Sequence, residues 1–180
     1  ALRAFLEILG GGKVFEESLP KIISALNASE SLNFENETYE LLTSSDNKKC
    51  KEIVQMLLDK NKYKQEQVKN IVQEIERRIS QKSDDIIIFE GDPSWKLTLA
   101  GPVASIICNK YAKPVFIYKK MDNESCGSVR NPKGTNSVEA MKECDSFLIT
   151  YGGHANASGF RVKNEHLEKF RNCLNKYFSV

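Results

Sequence analysis

An α/β domain, with a mixed or mainly parallel sheet and helices on its faces, is the fold class this sequence predicts. A long connector helix and an N-terminal helical segment precede it. Three observations lead there. Residues 84–180 alternate strand-sized apolar runs with amphipathic stretches, the pattern of a sheet covered by helices. Residues 47–82 keep a helical spacing of apolar side chains with no Pro or Gly. Residues 1–46 break into short pieces at turn-forming residues.

In the first stretch, Leu2, Phe5, Leu6 and Leu9 share one helical face, and Gly10-Gly11-Gly12 ends that helix. Ser18-Leu19-Pro20 opens a second helix, Asn33–Thr38 reads as polar linker, and Thr38–Leu42 forms a further helical turn. The long helix carries Ile53, Met56, Leu57, Val68, Ile71, Val72, Ile75 and Ile79. At roughly 1.5 Å of rise per residue it would reach about 50 Å. Its middle, Asp59–Gln67, is almost wholly polar, which fits a solvated face or a connector that packs at each end.

In the third part, Ile86–Phe89 is a buried strand, Leu97–Tyr111 a helix, Pro114–Tyr118 a second strand and Ser125–Arg130 a third. Asn136–Met141 and Asp145–Tyr151 are expected as helices and Ser158–Val162 as the fourth strand. Asn164–Phe178 closes the chain as an amphipathic helix through Leu167, Phe170, Leu174 and Phe178. The domain boundaries expected are therefore 1–46, 47–82 and 84–180.

Composition narrows the function classes. Of 180 residues, 41% are hydrophobic and 28% charged, with 10 Gly and 5 Pro, which excludes collagen-like and wholly disordered chains. The net charge is +2, and acids and bases balance over residues 1–83, so the excess lies in the third part. That is no polybasic surface, and any anion site must be local. No apolar run approaches the roughly 18 residues of a membrane span. The chain opens on Ala1 rather than Met, and we expect it to be part of a longer protein. Cys50, Cys108, Cys126, Cys144 and Cys173 are odd in number and form no CxxC pair, so buried reduced thiols in a cytoplasmic protein are expected, with no disulfide or zinc site.

Three segments could carry chemistry. In Gly152-Gly153-His154-Ala155-Asn156-Ala157-Ser158-Gly159 the glycines let backbone N–H groups converge on an anion, while His154 and Asn156 add donors. The same glycines could instead cap the preceding helix and leave His154 on the surface. Ser128 and Arg130 alternate on one face of a strand, so a hydroxyl and a guanidinium face a phosphate together; a plain surface arginine is the alternative. Trp95 follows a strand and precedes a helix, at the edge where α/β sheets bind ligands, where it could stack a base or serve the core. There is no Walker loop, no nucleophilic triad, no dinucleotide fingerprint and no Asp/His cluster for metal.

Taken together, these residues resemble the C-terminal part of the DHH phosphoesterase superfamily, specifically the RecJ-like single-strand-specific exonucleases. The resemblance rests on Leu26-Asn27-Ala28, on Trp95 followed by Gly101-Pro102-Val103-Ala104-Ser105, on Gly127-Ser128-Val129-Arg130, and on Gly152-Gly153-His154 through Phe160. It implies a hydrolase of DNA repair or replication whose N-terminal DHH domain, outside these residues, holds two Mn or Mg ions. The part in hand would bind no cofactor and no metal, would contain no catalytic residue and would be inactive alone. It would grip single-stranded nucleic acid through Ser128, Arg130, Gly152, Gly153, His154 and Asn156, with Trp95, Lys96 and Asn27 as secondary candidates. Glu30 and Ser31 stand where the family continues with Gly and Arg, and Lys96 where it has His. These departures leave room for a scaffold that meets replication proteins. A phosphoesterase of short oligonucleotides or cyclic dinucleotides is the other reading.

Overall fold

The computed structural model describes residues 2–9, 15–29, 36–81 and 85–179. The Gly10-Gly11-Gly12 turn, Glu30, Ser31 and the start of the polar linker lie outside the described residues. The chain divides into two compact units, Ala1–Gln67 and Val68–Val180. The division falls inside one helix.

In the first unit, α1 (Leu2–Ile8), α2 (Phe15–Leu26), α3 (Glu37–Thr43) and residues 47–67 of α4 (Asn47–Ser80) enclose a small core. Ala4, Phe5, Ile22, Ala25, Leu41, Val54 and Leu57 fill it. Side chains cap two of the helices. The Asn36 carboxamide oxygen accepts from Tyr39 N–H, and the Asp46 carboxylate accepts from the N–H groups of Lys48 and Lys49. Helix α2 begins before Ser18 and carries Pro20 inside it, because burial of Ile22 and Ala25 outweighs one missing backbone bond. The polar middle of α4 is not only solvated. Asn61 accepts from the Ser24 hydroxyl at 2.9 Å, Lys64 donates to the Asn27 carbonyl at 3.2 Å, and Lys60 pairs with Glu37. Lys60, and then the Ser29 hydroxyl, hold the Glu37 carboxyl below its ordinary range.

The second unit is a five-stranded mixed sheet in the order β1-β2-β3-β5-β4. Its strands are β1 (Ile88–Asp92), β2 (Val115–Lys120), β3 (Glu124–Arg130), β4 (Leu148–His154) and β5 (Ala157–Lys163). Only β1 and β2 run parallel, joined by α5 (Leu97–Tyr111); the other three pairings are antiparallel. The sheet is therefore mixed and not mainly parallel. Helices α6 (Ser137–Glu143) and α7 (Leu167–Phe178) complete the unit.

Strand periodicity sends neighbouring residues to opposite faces. Ile88, Val115 and Ile117 pack under α5 and the last turns of α4, with Ile71, Ile75, Leu99, Val103 and Ile107. Ile87, Phe89, Phe116, Val129, Phe160 and Val162 point the other way, into a core closed by Met141, Phe170 and Leu174 of α6 and α7.

Two expectations are corrected. Asp145–Tyr151 is not a helix: a single 3-10 turn over Asp145–Phe147 leads into β4, so Gly152 and Gly153 lie within a strand and cap no helix. Pairing with β5 supplies the hydrogen bonds that decide this. Cys144 and Cys173 form a disulfide, while Cys50, Cys108 and Cys126 are free and buried. Packing of α6 against α7 brings together two cysteines separated by 29 positions, which spacing alone does not reveal. Among the described residues, no helix is long and apolar enough to cross a membrane.

Candidate functional site

Residues directly opposite each other in an antiparallel pair share a face. Ser128 lies opposite Gly159, and Gly159 opposite Gly152. Arg130 lies opposite Ala157, and Ala157 opposite His154. Two rows thus run across β3, β5 and β4. They lie on the α5 side of the sheet, because Ile117 and Val115, which pack under α5, are the partners of Ser128 and Arg130 on β2. Helix α5 lies over β2 and β3. The face continues onto β5 and β4 with a floor of Gly159, Ala157 and Gly152. Gly152 and His154 are exposed, and a Cβ added at Gly152 would meet nothing within 4 Å.

The Arg130 guanidinium is held from two sides. Its Nε donates to the Ser105 hydroxyl at 3.1 Å and its Nη1 to the Val129 carbonyl at 2.8 Å. Among the described residues its other N–H groups have no partner. Burial pushes the nearby Cys108 thiol up, against the pull of the Arg130 charge, so the thiol stays neutral beside the cation.

The turn from β4 to β5 is pinned from below. The Ala155 carbonyl accepts from both the N–H and the hydroxyl of Ser137, at 3.0 and 2.9 Å. Asn131 N–H donates to the Asn156 carbonyl at 3.1 Å, and the Asn156 carboxamide donates to the Asn131 carbonyl at 3.5 Å. Asn156 thus sits beside the rows as an anchor of the turn. Gly153 has a φ of 134°, and a Cβ there would lie 2.6 Å from the Ala157 carbonyl oxygen. Only glycine fits.

Trp95 does not join these rows. Trp95 is 5% exposed in the core beneath α5, with the Arg78 guanidinium 5.1 Å from its ring and its indole N–H donating to Glu74 at 3.3 Å. Arg78 also pairs with Asp92 at 2.8 Å and with buried Glu90 at 3.5 Å. That packing leaves the ring no open face for a base. Lys96 is exposed at the start of α5, and Asn27 belongs to the first unit, where its carbonyl accepts from Lys64. Sequence reasoning assigned no role to Gly101 and Ser105, which border Arg130. Their four-residue spacing on the helix beside β3 was the available signal. Among the described residues, no group of three or more His, Cys, Asp or Glu side chains could hold a metal ion.

The α5 side of the mixed sheet thus carries a Ser-x-Arg strand and a Gly-Gly-His strand. Residues 83–180 match the model of the DHHA1 domain, and the chain belongs to that family. The particular likeness is to RecJ. The chain is 27% identical over 182 residues to the single-stranded-DNA-specific exonuclease RecJ of Bacillus subtilis, covering 97% of this chain and 23% of that protein. The RecJ of Thermus thermophilus is 25% identical over 177 residues, covering 98% and 26% respectively. The crystal structure of that Thermus protein with Mg2+ superposes with a TM-score of 0.83 at 23% identity, over 98% of this chain and 28% of that one. The fold is therefore that of the RecJ C-terminal region. The chain spans about a quarter of the length of these curated relatives.

Proposed function

We propose that this chain is the substrate-gripping C-terminal part of a RecJ-like single-strand-specific exonuclease of the cytoplasm. It would hold the phosphate backbone of single-stranded nucleic acid while an N-terminal DHH domain with two Mn or Mg ions hydrolyses the phosphodiester. The observation that supports this reading is the register that sets Ser128 and Arg130 in the same rows as Gly152 and His154, across β5, on the α5 side of the sheet. A hydroxyl and a guanidinium with spare donors on β3, and an imidazole two strands away on β4, share that face over a floor of Gly159, Ala157 and Gly152. That combination recognises phosphate oxygens at close approach and offers little to read base edges. Gly153 fixes the strand backbone, and the Asn156 turn anchors it.

The test is fluorescence anisotropy with a labelled single-stranded oligonucleotide at low salt, beside duplex of equal length. Preferential single-strand binding is expected, weakening with salt on a shallow slope of about −0.7 per neutralised phosphate. Affinity that rises with length beyond a dinucleotide supports the exonuclease reading; a plateau at two nucleotides would favour a small-substrate phosphoesterase. Equal binding of both forms, or of neither, would overturn the proposal.

A further inference from the structure

The way Arg130 is held points to two residues outside the strands. Free arginine side chains carry considerable rotamer entropy, so a guanidinium that must meet a phosphate binds better when fixed beforehand. Ser105 accepts from Nε at 3.1 Å and the Val129 carbonyl from Nη1 at 2.8 Å, and two anchors define the plane of the group. The two N–H bonds of Nη2 and one of Nη1 remain for a ligand.

Gly101 lies one turn before Ser105 on α5, on the same side of the helix. A Cβ at Gly101 would stand 3.3 Å from Arg130 Nη2 and 3.8 Å from the Ser128 hydroxyl oxygen, and, among the described residues and apart from its chain neighbours and the adjacent backbone of its own helix, within 4 Å of no other group. Glycine inside a helix is less favourable than alanine. Helix packing does not require it here, because the space it leaves borders the two phosphate-facing groups alone.

We infer that Gly101 and Ser105 are positioning residues for Arg130: Ser105 sets the guanidinium plane, and Gly101 keeps clear the gap where Nη2 and the Ser128 hydroxyl reach one phosphate. The inference rests on the phosphate-grip reading above. Gly101→Ala introduces a methyl group that displaces Nη2 from an anchored plane. Ser105→Ala releases that plane.

The experiment measures binding of labelled oligothymidylate across a NaCl series, together with thermal unfolding. It compares the parent with Arg130→Ala, Gly101→Ala, Ser105→Ala and the double variant Ser105→Ala/Arg130→Ala. Arg130→Ala is expected to weaken binding roughly tenfold to a hundredfold, the range for a lost charge-assisted bond. Ser105→Ala should weaken it by about threefold to tenfold, and the double variant should bind like Arg130→Ala alone, as coupled groups do. Gly101→Ala should melt at or above the parent temperature and yet bind several-fold worse, on the helix preference for alanine. If Gly101→Ala does not fold, the Ser105 cycle decides alone. Parent-like binding by Arg130→Ala would overturn the phosphate-grip reading itself. A clear loss in Arg130→Ala with parent-like Ser105→Ala, or losses that add in full, would overturn the positioning roles and leave that reading standing.

Discussion

The two faces of the sheet are made by alternate residues of the same strands, yet they do different work. On the closed face, Phe89, Phe116, Phe160 and Phe170 pack ring against ring, with centroids 5.3 to 6.1 Å apart around Phe170. Helices α6 and α7 cover them, and the Cys144–Cys173 bridge joins the end of α6 to α7. On the other face, α5 covers β2 and β3, and the rows that continue over β5 and β4 end in glycine, alanine and an exposed histidine. One residue of register separates cohesion from an open floor. A strand can therefore serve a core with one set of positions and leave the other set free for the proposed phosphate grip, provided its even and odd positions answer to different demands.

Substitutions on the closed face should strike stability first. Phe170→Ala removes a fully buried ring and is expected to cost about 3–5 kcal/mol in denaturant unfolding. Cys173→Ser, or reduction of the parent, should cost roughly 3 kcal/mol, since the bridge closes a loop across 29 positions. An unchanged midpoint with reductant would show that the bridge does not tie α7 down. The adjacent glycines of β4 sharpen the contrast. Gly153→Ala should destabilise by about 1–3 kcal/mol, from its left-handed backbone and its contact with Ala157. Gly152→Ala, which meets open space, should stay within about 0.5 kcal/mol of the parent and weaken oligonucleotide binding instead. Equal melting temperatures for the two variants would erase the distinction drawn between them.

The smallest expected effect lies beside Trp95. The Ser94 hydroxyl, then its N–H and the Arg78 guanidinium, hold the Asp92 carboxyl below the ordinary carboxylate range. The folded state thus binds that proton less readily than the unfolded chain. Its contribution is present at neutral pH and is lost as pH falls through and below about 4. Asp92→Asn should be slightly less stable than the parent at pH 7, and the difference should vanish in acid.

Much of this was legible in the amino-acid order. Helix α5 matches its expected span because its apolar positions repeat at helical spacing. Ser128 and Arg130 fall on one face by simple alternation. Strand β4 was not legible, because Leu148–His154 is an outer strand with exposed Ile149 and Thr150 and two glycines, so neither period shows. Its identity comes from pairing with β5. The placement of Gly152 and His154 on the same face as Ser128 and Arg130 likewise depends on β5 lying between, a long-range pairing that no local pattern encodes. Trp95 lies at the end of a strand as expected, but Arg78 and Glu74 arrive from α4, and they make it part of the core.

Because β4 is bonded along one side only, by β5, its backbone should exchange amide hydrogens sooner than β2 or β3, which are flanked on both sides. The Gly-Gly-His segment then lies on one of the two outer rungs of the ladder, where opening is easier than in its middle. A ligand that settles against Gly152 and His154 would slow that exchange, so occupancy of this face could be followed as deuterium uptake at the sheet's outer edge, with no label on the nucleic acid.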